Sequence, residues 1–364
     1  MTVQIVRDLC KIPAPSYHER ARAEFCKAWL ERNGAKGVYL DEVCNVIFPI
    51  GCDQSKEITV VAAHTDTVFP DTEPYPEYRE DEEYIHCPGA EDDSSGVAVL
   101  LMTAKYFIDM GIVPKKGVLF VCNVCEEGLG NLVGTRRLMK DYEGRIKRFI
   151  TYDECIGCIA TDAVGSHRYE VEVTTEGGHS FSKFGNRNAI HALAEIVGRI
   201  YEIVPPKKEG ARATYNVGTI EGGTSVNTIA QSARMLCEYR SDDRECLGIL
   251  ERQFESIFEA AKNEKVKVSV NKIGDRPCKG EVDPLLEKEL IDVYTAAVKE
   301  FTDAEICREA ASTDANVPLS QGIPAACIGV FVGQGAHTRA EFTKKSALAD
   351  GLKISIRTIT ELLK

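Results

Sequence analysis

Two apolar runs, Ile58 to Ala63 (ITVVAA) and Val118 to Val124 (VLFVCNV), constrain this chain more than any other feature. Neither alternates with polar residues, so each fits a strand covered on both faces, as parallel strands between helical layers are. Between them, Ser94 to Met110 carries apolar residues at helical spacing behind a serine at the expected N-cap. Phe149 to Tyr152 is a shorter run of the same kind. Strands alternating with helices predict an α/β layer with a mainly parallel central sheet.

The texture changes near His167. Tyr169-Glu170-Val171-Glu172-Val173-Thr174 alternates strictly, which predicts a strand with one face in water. A helix over 188–203, strands over 214–220 and 230–239, a helix over 243–261 and a strand over 266–270 follow. That order, β-α-β-β-α-β, is the ferredoxin-like split unit. After Pro277 the α/β texture resumes, with a helix over 284–301, a strand over 324–331 and a helix over 346–363. A chain of 364 residues exceeds one comfortable core. The pattern therefore predicts one α/β domain from residues 1–167 and 277–364, interrupted by an inserted α+β domain over 168–276.

The formal net charge of −12 argues against nucleic acid or an anionic membrane as partner, because both need clustered Lys and Arg. No apolar stretch is long enough to span a bilayer, and charges break the N-terminal apolar run within eight residues, unlike a secretory signal. Fourteen cysteines, many inside apolar runs (Cys122, Cys237, Cys327), read as small buried hydrophobes in a reducing compartment, which points to the cytoplasm.

Metal-binding residue types gather just after the strand ends, where open α/β sheets place their ligand crevice. His64-Thr65-Asp66 follows the first run, Glu126-Glu127 the second, Asp153 the third, and His337 follows the run ending at Phe331. Asp92-Asp93 precedes the helix expected from Ser94. Alone, each group reads as an ordinary surface loop or as acidic charge at a helix N-terminus. Together, His, Asp, Glu, Asp and His fall on one predicted side of one sheet. Zinc takes imidazole and carboxylate ligands, and a pair of metals needs a bridging carboxylate between them. A further carboxylate must take the proton from the attacking water. Adjacent Glu126 and Glu127 suit a division in which one binds metal and the other faces the water.

The stretches Ala62-Ala63-His64-Thr65-Asp66, Gly89 to Gly96, Glu126-Glu127-Gly128, Gly177-Gly178-His179-Ser180, Gly218-Thr219-Ile220 with Gly222-Gly223 and Asn227, and Gly335-Ala336-His337 span nearly the whole chain. In this order they resemble the dinuclear zinc peptidase and deacylase superfamily. That superfamily includes peptidase T, carboxypeptidase G, aminoacylase, acetylornithine deacetylase and succinyl-diaminopimelate desuccinylase. The resemblance implies two Zn²⁺ per chain, with Co²⁺ or Mn²⁺ also accepted by such ligands. Asp92 resembles the bridging ligand, and the peptide bond after it is expected to be cis. His64 and Asp153 resemble the terminal ligands of one metal, and Glu127 and His337 those of the other. Glu126 is similar to the general acid/base, and Asp66 to the carboxylate that sets the His64 tautomer.

The same resemblance makes the inserted domain a lid that forms a homodimer. It makes His179, otherwise an ordinary strand-to-turn histidine, an oxyanion-stabilising group. Arg240, Asn227 and Asn188 resemble lid residues that grip a substrate carboxylate, for which an arginine fork is suited. The implied substrate is a small peptide or an N-acyl amino acid. The overall texture, including Ser312-Thr313-Asp314-Ala315-Asn316, favours the peptidase T-like branch, with aminopeptidase or tripeptidase action. At one motif, Glu91-Asp92-Asp93-Ser94-Ser95, the chain departs from that branch's Asp-Asp-Lys towards related zinc aminopeptidases.

Two other classes compete. Cys122-x-x-Cys125 and Cys155-x-x-Cys158 could form a structural zinc quartet in a binding module. Cys122 and Cys125 lie in or at the end of a strand, however, where residues three apart face opposite ways, and the expected knuckle glycine is missing. An inactive, binding-only relative would lack a ligand or base, and each such position is filled. No G-x-S-x-G elbow supports serine chemistry.

Overall fold

The strand Ile58–His64 is buried along its whole length because both faces are covered. Val61 and Ala63 pack into one apolar layer, and Val60 and Ala62 into the layer on the opposite face. This two-sided burial is why the run shows no alternation. Gly117–Asn123 and Ala325–Phe331 are equally buried throughout. The computed structural model describes residues 1–364, and the chain divides into two compact units, Met1–Ala163 with Gly280–Lys364, and Val164–Lys279.

In the first unit, Gly117–Asn123, Ile58–His64, Ile146–Cys155 and Ala325–Phe331 lie side by side in parallel. His64 is in register with Asn123, so the C-terminal ends of these strands share one edge. Val46–Ile50 adds antiparallel on one flank, and Cys158–Ala163 antiparallel on the other, followed by Cys307–Ala311 parallel to it. The result is an eight-stranded, mainly parallel sheet. Helices Thr2–Leu9, Arg20–Arg32, Gly96–Asp109, Pro284–Phe301 and Ala347–Leu362 contribute to the first layer. Val133–Asp141 and Asn316–Ser320 contribute to the second.

Local chemistry sets several boundaries. Asp283 caps the helix Pro284–Phe301 by accepting from the Leu285 N–H, with proline in the first turn, where its missing N–H costs nothing. The final helix crosses the strand Ala325–Phe331 at Gly351, where a Cβ would lie 1.6 Å from the Val330 carbonyl oxygen. The segment before Gly96 departs from expectation. Regular helix begins at Gly96, and Ala90–Ser95 forms a wide turn with non-helical Asp92 and Asp93. Ser95 does not cap the helix; its hydroxyl donates to Ala90 O at 2.7 Å and to Thr343 Oγ1 at 2.9 Å.

In the second unit, Ala213–Gly222, Ser232–Ser241, Gly165–Thr174 and Lys267–Arg276 form an antiparallel sheet in that spatial order. Helices Ala189–Tyr201 and Arg244–Ala261 pack against it, and the order β-α-β-β-α-β is ferredoxin-like. Tyr169, Val171 and Val173 face that core, while Glu172 between them is exposed. The first strand of this unit begins at Gly165, before the expected limit of 168, and the unit itself runs over Val164–Lys279. Ser166 pairs with Arg276, and Gly165 with Ser241, which moves the unit's ends outward.

Candidate metal centre

Segments at or just after the C-terminal ends of the central parallel strands bring polar side chains to the same place. His64, the last residue of its strand, directs Nε2 to within 2.9 Å of Asp92 Oδ1 and 3.7 Å of Asp153 Oδ1. Asp153 lies inside Ile146–Cys155 rather than at the end of a shorter run. Across the site, His337 Nε2 lies 3.1 Å from Asp92 Oδ2 and 3.3 Å from Glu127 Oε1. The two oxygens of Asp92 thus face two different imidazoles. His64, Asp92 and Asp153 form one set of converging ligand atoms, and Asp92, Glu127 and His337 another, with His64, Glu126 and Glu127 a third. The Asp92–Asp93 peptide bond is cis.

His64 is fully buried, and its Nδ1 faces the Asp66 backbone carbonyl at 3.1 Å and the Asp66 carboxylate at 3.5 Å. That leaves Nε2 aimed at the acidic cluster. The closest bonds of the Asp66 carboxylate go elsewhere than the sequence suggests: to the N–H groups of Glu126 and Glu127, both at 2.9 Å, and to Ser16 Oγ at 2.7 Å. Asp66 therefore fixes the backbone that presents the paired glutamates as well as meeting the histidine. Ser16 lies in the N-terminal loop and carried no signal in the sequence.

The electrostatics fit a cation. Burial, reinforced by the Asp92 charge, pushes Glu127 up to about 8 and raises Asp153 well above the usual carboxylate range. Loss of solvent acts against ionisation at half-buried Asp92 too, yet His337 and His64 hold it below its ordinary value. The facing carboxylates of Asp92 and Glu127 lift His337 to about 11. For His64, burial is outweighed by Asp153, Asp66 and Asp92, and its value rises. Carboxylates crowded so tightly keep their protons unless positive charge balances them. Moreover, His64 Nε2, Asp92 Oδ1 and Glu127 Oε1 are buried without a hydrogen-bond partner, although the first two approach to 2.9 Å. Each belongs to the converging ligand sets above rather than to a hydrogen bond, and buried polar atoms are rarely left so. The donor set, imidazole plus carboxylate, suits zinc and related divalent ions.

The cysteines do not converge in the same way. Cys125 donates to Glu19 Oε1 and Cys155 to Glu91 Oε1, and no metal-ligating cluster includes a thiol. Cys155 and Cys158 flank the turn between two strands, and all fourteen cysteines are free.

The other expected residues lie in the second unit. His179 is exposed in the short strand Gly178–His179, which pairs with Thr228–Ile229. Its Nδ1 accepts from the Phe181 and Ser182 N–H groups. Asn227 is exposed, and its side chain accepts from Ser225 Oγ at 2.7 Å. Two of these residues have local partners that the sequence does not show. Arg240 does not follow a strand but lies within Ser232–Ser241, and its guanidinium is engaged in a fork by Glu238 at 2.8 and 3.0 Å. Asn188 caps the helix Ala189–Tyr201, its Oδ1 accepting from Ile190 and His191.

Residues 60–361 match the sequence profile of peptidase family M20/M25/M40. A putative succinyl-diaminopimelate desuccinylase, DapE, of Mycobacterium tuberculosis is 26% identical over 256 residues, covering 68% of this chain and 70% of that protein. The fold is shared with aminopeptidase PepT from Bacillus cereus (TM-score 0.74, 20% identity, 100% of this chain and 98% of that one). It is shared also with a tripeptidase from Staphylococcus aureus (TM-score 0.77, 19% identity, 100% and 98%). With a profile match over most of its length, the chain belongs to peptidase family M20/M25/M40 and is a hydrolase of that family.

Proposed function

We propose that the chain is a two-metal peptidase that cleaves small peptides, with Asp92 as the bridging ligand. The observation that carries this is the Asp92 carboxylate, whose two oxygens lie 2.9 Å and 3.1 Å from His64 Nε2 and His337 Nε2. His64 and Asp153 complete one position, and Glu127 and His337 the other. Two divalent ions, zinc by preference, would there polarise the scissile carbonyl and acidify the attacking water.

The remaining work falls to this chain's own groups. Glu126 is the general base: its carboxylate takes a proton from the attacking water and returns it to the leaving nitrogen. Asp66 keeps the Glu126 backbone in place through its N–H. His179 presents Nε2 as a donor for the developing oxyanion, since Nδ1 is occupied as an acceptor and the proton must sit on Nε2. Asn227 supplies a further polar contact to substrate. For Arg240 to grip a substrate carboxylate it must exchange its pairing with Glu238, and for Asn188 to contribute it must do so beside its capping bonds.

The second unit is proposed as a lid and homodimerisation element, because its apolar Phe181, Phe184 and Val226 are almost fully exposed. The free thiols fit a reducing, cytoplasmic setting. No helix is long and apolar enough to cross a membrane.

A second reading, N-acyl amino acid deacylase, draws on the likeness to the putative desuccinylase. Elemental analysis together with hydrolysis of di- and tripeptides and N-acyl amino acids, with and without chelator, tests both. Two ions per chain and chelator-sensitive peptide cleavage support the peptidase; cleavage confined to N-acyl amino acids selects the deacylase. One tightly held ion with no cleavage would leave a structural-zinc or binding protein and end the proposal.

A further inference from the structure

Glu341 stands four residues after His337, and its side chain is buried. Its Oε1 accepts the N–H groups of Glu91 at 2.7 Å and Asp92 at 3.0 Å, and its Oε2 accepts that of Gly89 at 2.8 Å. These donors have no place in a regular helix. Asp92 and Asp93 take φ/ψ of −106°/96° and −127°/38°, and Gly89 is left-handed at φ 74°. A side chain from 250 residues away meets what the local backbone leaves open. Buried N–H groups without an acceptor are strongly disfavoured.

Glu341 is itself fastened at both backbone ends. Its N–H donates to Thr338 O at 3.3 Å, and its carbonyl accepts from Cys87 N–H at 3.0 Å. The strand that follows, Phe342–Lys344, pairs with Tyr84–His86 just ahead of the same turn. One residue therefore joins the turn that carries His337 to the turn that carries Asp92, and those two side chains meet at 3.1 Å.

We infer that Glu341 is a positioning residue of the metal centre, holding the backbone at 89–92 against the turn at 337–341 so that Asp92 and His337 keep their spacing. This rests on the reading of Asp92 and His337 as metal ligands. A carboxylate is needed because both oxygens accept. In Glu341→Gln an amide NH₂ replaces one acceptor and opposes a backbone N–H, so at least one of the three donors is left bare. A displacement of about half an ångström is enough to spoil a ligand constellation.

The test is metal affinity, measured without substrate. Metal-free protein is titrated with Co²⁺ in competition with a chromophoric chelator, for the parent, Glu341→Gln, Glu341→Asp and Ile354→Ala. Ile354 is fully buried in the final helix and serves as a control for lost stability. The expected result is Co²⁺ binding weakened about 10–100-fold in Glu341→Gln, as for partners that orient metal ligands elsewhere. Ile354→Ala should melt lower yet bind within twofold of the parent. Parent-like affinity in Glu341→Gln overturns the positioning role. Should that variant fail to fold, Glu341→Asp, one methylene shorter, is judged by the same criterion. A parent that binds no Co²⁺ overturns the metal-centre reading itself, a result separable from either variant's.

Discussion

Asp66 accepts the backbone N–H of Glu126 at 2.9 Å through Oδ1, while its Oδ2 accepts that of Glu127 at the same distance. One buried carboxylate thus sets two adjacent glutamates at the edge of the metal cluster. Glu127 lies 3.3 Å from His337 Nε2, and Glu126 is left beside it for proton transfer. Glu126→Gln should keep the parent's metal content but lose about 10²–10⁴-fold in turnover. Elemental analysis with steady-state kinetics checks this, and a near-parental rate removes Glu126 as the base.

Asp92→Ala takes away the carboxylate whose two oxygens lie within 3.1 Å of the two imidazoles. Metal content should fall below the parent's in protein purified under identical conditions. Full occupancy by two ions in that variant would sink the bridging role.

Replacing Cys122 and Cys125 together by serine should leave metal content unchanged, because neither thiol joins a ligand cluster. Cys122 is buried, so the melting temperature should drop as a hydroxyl enters an apolar site. Loss of one metal equivalent would revive a cysteine site.

Gly351→Ala should destabilise the protein by about 1–3 kcal/mol or more, the usual cost of overpacking a tight core. The new Cβ would meet the Val330 carbonyl oxygen at 1.6 Å, so helix and strand must separate. Chemical denaturation of the metal-free protein measures this; an unchanged midpoint would show that the crossing relaxes freely.

Glu80 is held at about 2 by hydrogen bonding to Arg7, with Lys345 adding a second cation. A carboxylate depressed in the folded state stabilises it above the unfolded value of 4.5, and the contribution fades as pH falls from there towards 2. Glu80 is partly exposed, so the effect is about 1 kcal/mol at most. Glu80→Gln should lower stability at pH 7 by that amount and converge with the parent near pH 2. A constant difference across that window would show that the pair contributes nothing through charge.

The sequence alone determined the alternation of buried strands and helices and the ferredoxin-like insertion, because both follow from periodicity within short windows. It also placed His64, Glu127, Asp153 and His337 at or after the C-terminal ends of apolar runs that become neighbouring parallel strands. Tertiary structure decided what no period encodes. Ser16 reaches Asp66 across 50 residues and Glu341 reaches Gly89 across 252. Such bonds depend on two loops meeting in space, and nothing near either residue in the chain records the meeting. The wide turn at Ala90–Ser95, whose last two residues fall where the sequence predicts helix, has the same origin, since its open N–H groups find their acceptor only in the folded protein. Arg240 and Asn188 show the converse: residue types suited to a substrate carboxylate already have partners, Glu238 and a helix N-terminus, that only the strand register and the helix start disclose.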